Sequence, residues 1–309
     1  MASDVKLGVP ENHEAGNKWR NIVPNEQEEQ VDLDVKRSFI YYPNDLSPLE
    51  LENKKTELNE LIVQVLRRHP GLSYFQGFHD IASVFLLTCG YKTSTDIIDH
   101  FVLFHIRDCM LPNLSPVLAY LSLLPSLVKA ADYRLGHHIS QVEPHYALAP
   151  FLTLFSHEIL DLETATRLFD FFLASNPLMP IYLLAIILIY RRKEILDISQ
   201  DDHDILHSVL SRIPPNLPFE DLIESASDLF TQNPPNSFGE WRRIGQHSCS
   251  RLPIEDNMTL SYGDEMLLLA IKDLRRHGHK QMSNTHVLLS AGAMFVAIAA
   301  GWYVQNYVL

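Results

Sequence analysis

The chain has 309 residues, 46% of them hydrophobic and 20% charged, enough to bury a full core in one or two domains. Its formal net charge of −13 speaks against nucleic acid, whose phosphates call for a basic surface. The three cysteines, Cys89, Cys109 and Cys249, stand far apart with no C-x-x-C pair, so neither a disulfide framework nor a zinc knuckle is expected.

In chain order, residues 1–30 are polar and acidic, with little periodicity and no apolar core of a secretory signal, and read as a poorly ordered arm. The first clear helix starts at "SPLE". Ser47 is placed to cap it, Pro48 suits the first helical position and Glu50 completes a capping box. Leu51, Leu58, Ile62, Val65 and Leu66 then form its apolar stripe, and His69-Pro70-Gly71 ends it. Further helical stretches are expected at roughly 77–89, 94–107, 115–131, 148–160, 162–174, 178–197, 203–212 and 219–230, with few strand signals. The run "IYLLAIILIY" is only 10 residues long before Arg191, too short to cross a bilayer, and is expected as a buried core helix.

Prolines around residues 214–218 and "NPPNS" mark the exit from the folded body. A linker is expected over 233–284, carrying a short amphipathic helix at 264–276, followed by a membrane anchor over 285–309. Within that anchor, residues 287–304 run for 18 positions without a charge, about 27 Å as a helix. Arg275, Arg276 and Lys280 precede the run and no Lys or Arg follows it, which puts the basic side in the cytosol.

No glycine-rich phosphate loop, HExxH pair or G-x-S-x-G elbow occurs, so no nucleotide, metal or nucleophilic site of the chain's own is expected. Two short pieces stand out. One is "LDVKRSF", with Asp34 and Arg37 three residues apart; by itself this is most simply an ion pair on a helix surface. The other is "LSYFQGFHD". Its plain reading has Tyr74 and Phe75 in the core and Gln76 tying down backbone groups at a helix start.

Together and in this order, the two resemble the motifs of the TBC domain of Rab GTPase-activating proteins. The I-x-x-D-x-x-R motif is matched by Leu33, Asp34 and Arg37, and the Y-x-Q-G motif by Tyr74, Gln76 and Gly77. "FLTLFSHEI", "RLFDFFLA" and "PLMPIYLLAIILIYR" fall where the family has its later helices, so the resemblance covers residues 31–232. Only about 30 residues precede the arginine motif, so the domain is expected to be N-terminally shortened.

The resemblance implies an all-α, V-shaped multi-helix body with a C-terminal transmembrane helix. It also implies a GTPase activator that is not itself a hydrolase: Arg37 as an arginine finger and Gln76 as a glutamine finger, with Asp34, Tyr74, Gly77 and Asp80 in support. The partner is then a GTP-loaded Rab, which brings its own GTP and Mg2+, on a membrane of the endoplasmic reticulum or early Golgi. A catalytically impaired, membrane-anchored Rab-binding adaptor is the alternative.

Overall fold

The structure is a computed structural model that describes residues 18–43, 46–253 and 258–281. Among the described residues every regular element is an α-helix or a short 3₁₀ turn, with no strand. The predicted membrane span lies outside the described residues, and among these no helix is long and apolar enough to cross a membrane.

Helix α1 (Glu28–Lys36) carries the Asp34/Arg37 pair. Its sequence, "EEQVDLDVK", offers only Val31 and Val35 as buried apolar residues and no capping side chain at Gln27, which is why the sequence pattern does not announce it. Long-range ties hold it instead. Arg67 donates through Nε and Nη2 to the Glu28 carboxylate, both at 2.7 Å, and Lys55 Nζ donates to the Lys36 carbonyl at 2.8 Å. The described end of the acidic arm is equally built in. Trp19 is buried in the core, with the guanidinium groups of Arg20 and Arg67 over its ring.

Helix α2 (Pro48–Arg68) forms as its sequence predicts. The Ser47 hydroxyl accepts from the Glu50 N–H while the Glu50 carboxylate accepts from the Ser47 N–H, and the buried stripe runs through Leu58, Leu61, Ile62, Val65 and Leu66. Helix α3 (Phe78–Phe104) unites two expected helices across Gly90, whose φ of 75° and ψ of 161° break the helical path.

The expected helix 115–131 is two, α4 (Ser115–Leu121) and α5 (Leu124–Ala131). Pro125 has no N–H to give an interior turn, so it sits in the first turn of a new helix. Asp132 then caps α6 (Tyr133–His138) by accepting from the Leu135 N–H at 2.9 Å. The expected helix 148–160 shrinks to α7 (Leu148–Leu152), because Leu154 and Phe155, both buried, take positive φ and leave the helical path.

After α8 (Leu162–Leu173) comes α9 (Met179–Tyr190), the all-apolar run, buried through Leu188 as expected. It ends at Arg191, whose guanidinium donates to the carbonyls of Val209 and Arg212, and α10 (Arg192–Leu196) follows separately. Helix α11 (His203–Leu210) leads to α12 (Phe219–Gln232), which packs on α9 through Tyr182 and Phe230, ring centroids 4.9 Å apart.

Residues 233–252, expected as the start of a linker, are docked on this body. Tyr120 Oη, Ser248 Oγ and the buried Asp108 carboxylate form one hydrogen-bonded group, and the Cys249 N–H donates to Asp108 Oδ2 at 3.1 Å. Helix α13 (Leu260–Gln281) extends the expected amphipathic helix at both ends and packs on α3.

Candidate functional site

The site grows from the C-terminus of α1. Asp34 is fully buried, and its carboxylate is the hub. Oδ1 accepts from Arg37 Nη2 at 2.5 Å and Gln30 Nε2 at 3.0 Å; Oδ2 accepts from the Tyr74 hydroxyl at 2.8 Å, with His79 Nδ1 3.8 Å away. The Arg37 side chain is half-exposed, at 50%. One edge of its guanidinium is anchored on a carboxylate that water cannot reach, while the remaining N–H groups have no hydrogen-bond partner among the described residues. Leu33 and Ile40, on either side of Arg37 in the chain, are exposed at 53% and 55%.

The segment between α2 and α3 forms the other half of the site. The Ser73 N–H donates to the Met110 carbonyl, and the Tyr74 N–H to Gln27 Oε1, each at 2.7 Å. Tyr74 is buried, as expected, and Phe75 is half-buried against Phe78, centroids 6.0 Å apart. Burial and the neighbouring Asp34 push the Tyr74 phenol far up, so it stays a donor.

Gly77 precedes α3 with φ of 111° and ψ of −17°, and a Cβ added there would lie 2.9 Å from Thr153 Cγ2. Only glycine fits. Gln76 does not tie down the helix start: His79 Nδ1 lies 3.4 Å from the Gly77 N–H and takes that part. The half-buried Gln76 amide makes no hydrogen bond among the described residues.

Asp80 joins α3 to the turn after α7. Its Oδ1 lies 3.4 Å from His79 Nε2 and its Oδ2 3.1 Å from His157 Nδ1. Burial works to raise the Asp80 carboxyl, but His79, His157 and the Arg37 guanidinium outweigh it and hold the group below its ordinary value. The hydrogen bond to Asp80 lifts His157 to about 9. Burial pushes Glu158 up to about 7, against the pull of His157. Asp80 is thus a brace between two elements, and Arg37 lies within the electrostatic reach of both members of the pair.

All the sequence-predicted residues therefore belong to one constellation: Asp34, Arg37 and Tyr74 share hydrogen bonds, Asp80 connects through His79, and Gln76 and Gly77 sit on the segment that Tyr74 anchors. Sequence reasoning missed Gln27, Gln30, His79, His157 and Glu158. His79 had a visible signal, lying between Gly77 and Asp80; His157 had none, because its partner is 77 residues away.

Among the described residues no group of three or more His, Cys, Asp or Glu is arranged to hold a metal ion. A cavity of about 720 Å³ between α1 and α2 is lined by Trp19, Lys36, Lys55 and Arg67 with their acidic partners, and includes neither Arg37 nor Gln76.

A model of the Rab-GTPase-TBC domain family matches residues 9–196, starting inside the segment that reads as an arm and ending with α10. TBC1 domain family member 20 of Mus musculus is 39% identical over 210 residues, covering 67% of this chain and 52% of the mouse protein. The Homo sapiens protein of that name is 38% identical over the same shares. GTPase-activating protein gyp10 of Schizosaccharomyces pombe is 32% identical over 258 residues, 81% of this chain and 69% of the yeast protein. The chain spans about half the length of its mammalian relatives.

Proposed function

The chain belongs to the Rab-GTPase-TBC domain family, and on that premise we propose that it accelerates GTP hydrolysis by a Rab GTPase, supplying Arg37 and Gln76 to the partner's nucleotide site. One observation carries this reading. A half-exposed guanidinium is fixed on a buried carboxylate, and the same carboxylate holds the tyrosine two residues before an amide with no hydrogen-bond partner among the described residues.

Phosphoryl transfer asks little covalent chemistry of a protein; it needs positioning and compensation of charge on the equatorial oxygens. A planar guanidinium meets phosphate oxygens with paired N–H groups, which an ammonium cannot do. Arg37 keeps such an edge for the partner while Asp34 fixes the other. The Gln76 amide accepts from one group and donates to another, so it aligns a water between the amide and the phosphate. GTP and Mg2+ belong to the Rab; this chain brings no cofactor and forms no covalent intermediate. Exposed Leu33 and Ile40 offer the partner apolar contact beside Arg37.

The apolar run 287–304 attaches the body to a membrane of the early secretory pathway, with Arg275, Arg276 and Lys280 on the cytosolic side. A screen of GTP-loaded Rabs for accelerated hydrolysis tests the reading. Acceleration of at least one Rab supports it; binding to GTP-loaded Rab without acceleration gives the adaptor instead.

A further inference from the structure

Helix α13 lies outside the stretch that the family model matches, yet it packs against the segment that carries Gln76. The contact starts where α2 ends. His69, almost fully buried, stands between two carboxylates: its Nδ1 is 2.7 Å from Asp264 Oδ1 on α13, and its Nε2 is 3.5 Å from Asp99 Oδ1 on α3. Two residues on, Gly71 lets α13 approach the backbone. A Cβ there would meet Ile271 Cδ1 at 3.0 Å and Leu267 Cδ2 at 3.2 Å. Leu267 and Ala270 on the same helix are buried in the core.

Helix α13 is itself held along its length. Gly263 packs against Leu103 and Phe104, Tyr262 stacks on Phe104 with centroids 6.5 Å apart, and Asp273 Oδ2 lies 2.7 Å from His247 Nδ1. Segment 69–77 is thus pinned at both ends by different parts of the molecule. Its far end rests on Asp34 through Tyr74 and on Thr153 through Gly77; its near end rests on α13 through His69 and Gly71. Between these ends the Ser73 N–H donates to the Met110 carbonyl and the Tyr74 N–H to Gln27, while the Gln76 side chain itself has no hydrogen-bond partner among the described residues.

We propose that α13 is a positioning element for Gln76: Asp264, Leu267 and Ile271 act through His69 and Gly71 to fix the Gln76 segment. The role in hydrolysis rests on the reading under Proposed function. A displacement of about 1 Å at a catalytic group can cost about 100-fold in rate, so a support at His69 and Gly71, a few residues before Gln76, matters even though it touches no substrate.

The test uses the full chain in detergent with Asp264→Ala and, separately, Ile271→Ala, each against Asp264→Asn, which keeps an oxygen for the His69 N–H. The first readout is amide hydrogen exchange over residues 72–77. The second is hydrolysis by a responsive Rab, split into kcat and KM. The expected result is exchange at 72–77 faster by several-fold in both alanine variants, kcat down by about tenfold with KM changed less than about twofold, and Asp264→Asn close to the parent. Unchanged exchange at 72–77 in both alanine variants overturns the buttress, whatever the hydrolysis assay gives. Altered exchange with unchanged kcat overturns the positioning role. Failure of the unmodified chain to accelerate any Rab overturns the reading beneath it instead, and is seen before any variant is made.

Discussion

Tyr74→Phe removes a single oxygen and is the sharpest probe of the hub. In the parent, Asp34 Oδ2 accepts from the Tyr74 hydroxyl at 2.8 Å, and His79 Nδ1 is 3.8 Å away. Asp34 is fully buried and Tyr74 nearly so, and the missing oxygen leaves little room for a water. A hydrogen bond to a charged group is worth about 1.5–3 kcal/mol, and an unsatisfied buried acceptor keeps its full desolvation cost. We therefore expect a loss of about 2–3 kcal/mol. Urea unfolding followed by circular dichroism reads it as a lower midpoint with an unchanged slope. Tyr42→Phe is the control: its hydroxyl donates to the neutral Ser156 carbonyl at 3.3 Å, and its loss should cost about 1 kcal/mol or less. A Tyr74→Phe loss below about 0.5 kcal/mol, or one no larger than that of Tyr42→Phe, would refute the reasoning that Asp34 depends on this donor.

Gly77→Ala places a methyl 2.9 Å from Thr153 Cγ2 at a φ of 111°, so a loss of about 1–3 kcal/mol is expected in the same unfolding assay. Combination with Thr153→Ser, which removes that methyl, should recover part of it; no recovery would mean that the backbone angle is the whole cost. His157 is expected to titrate near 9, well above its ordinary 6.5, when followed by NMR. Its raised value means that its contribution to stability is complete below 6.5 and lost as the pH rises through 9, so the stability gap between the parent and His157→Gln should narrow from pH 7 to pH 10. A titration at or below 6.5 would contradict the Asp80 pairing. Val296→Arg puts a charge in the middle of the apolar run, at a cost of about 2.5–3.5 kcal/mol in a bilayer, and should release the protein from membranes in a carbonate wash. Retention of a chain truncated after Lys280 would argue against the anchor.

What the sequence displays depends on how far away a residue's partners are. The capping box of α2 and the buried run of α9 are local patterns and were legible in full. Asp34, Arg37, Tyr74, Gln76 and Gly77 stand out only as two short motifs taken together; the structure brings Asp34, Arg37 and Tyr74 into hydrogen-bond contact, and their roles rest on the family resemblance. Helix α1 was not, because its hold comes from Arg67 and Lys55 on α2 and not from a cap or an apolar stripe of its own. The helix break at Leu154 and Phe155 was hidden because neither residue is a glycine or proline, yet both are buried with positive φ. The docking of residues 233–252 rests on Asp108 and Tyr120, more than 100 residues earlier, and a proline-rich stretch gives no hint of such partners. His157 and α13 likewise reach the site only through long-range contacts.

Single-turnover GTP hydrolysis by a responsive Rab, with Arg37→Lys and Gln76→Ala compared with the parent, tests whether these two side chains act on the partner's nucleotide. Arg37→Lys is preferred to alanine because it leaves a cation near the buried Asp34 carboxylate, so folding is least disturbed, while the paired N–H edge is lost. An arginine finger contributes about 10³ to 10⁵ in rate in related chemistry, and a single preorganised donor about 10² to 10³. Each variant should therefore lose about 100-fold or more of the acceleration while still binding the GTP-loaded Rab. Acceleration within about twofold of the parent in either variant would contradict the assignment of that residue to the partner's nucleotide.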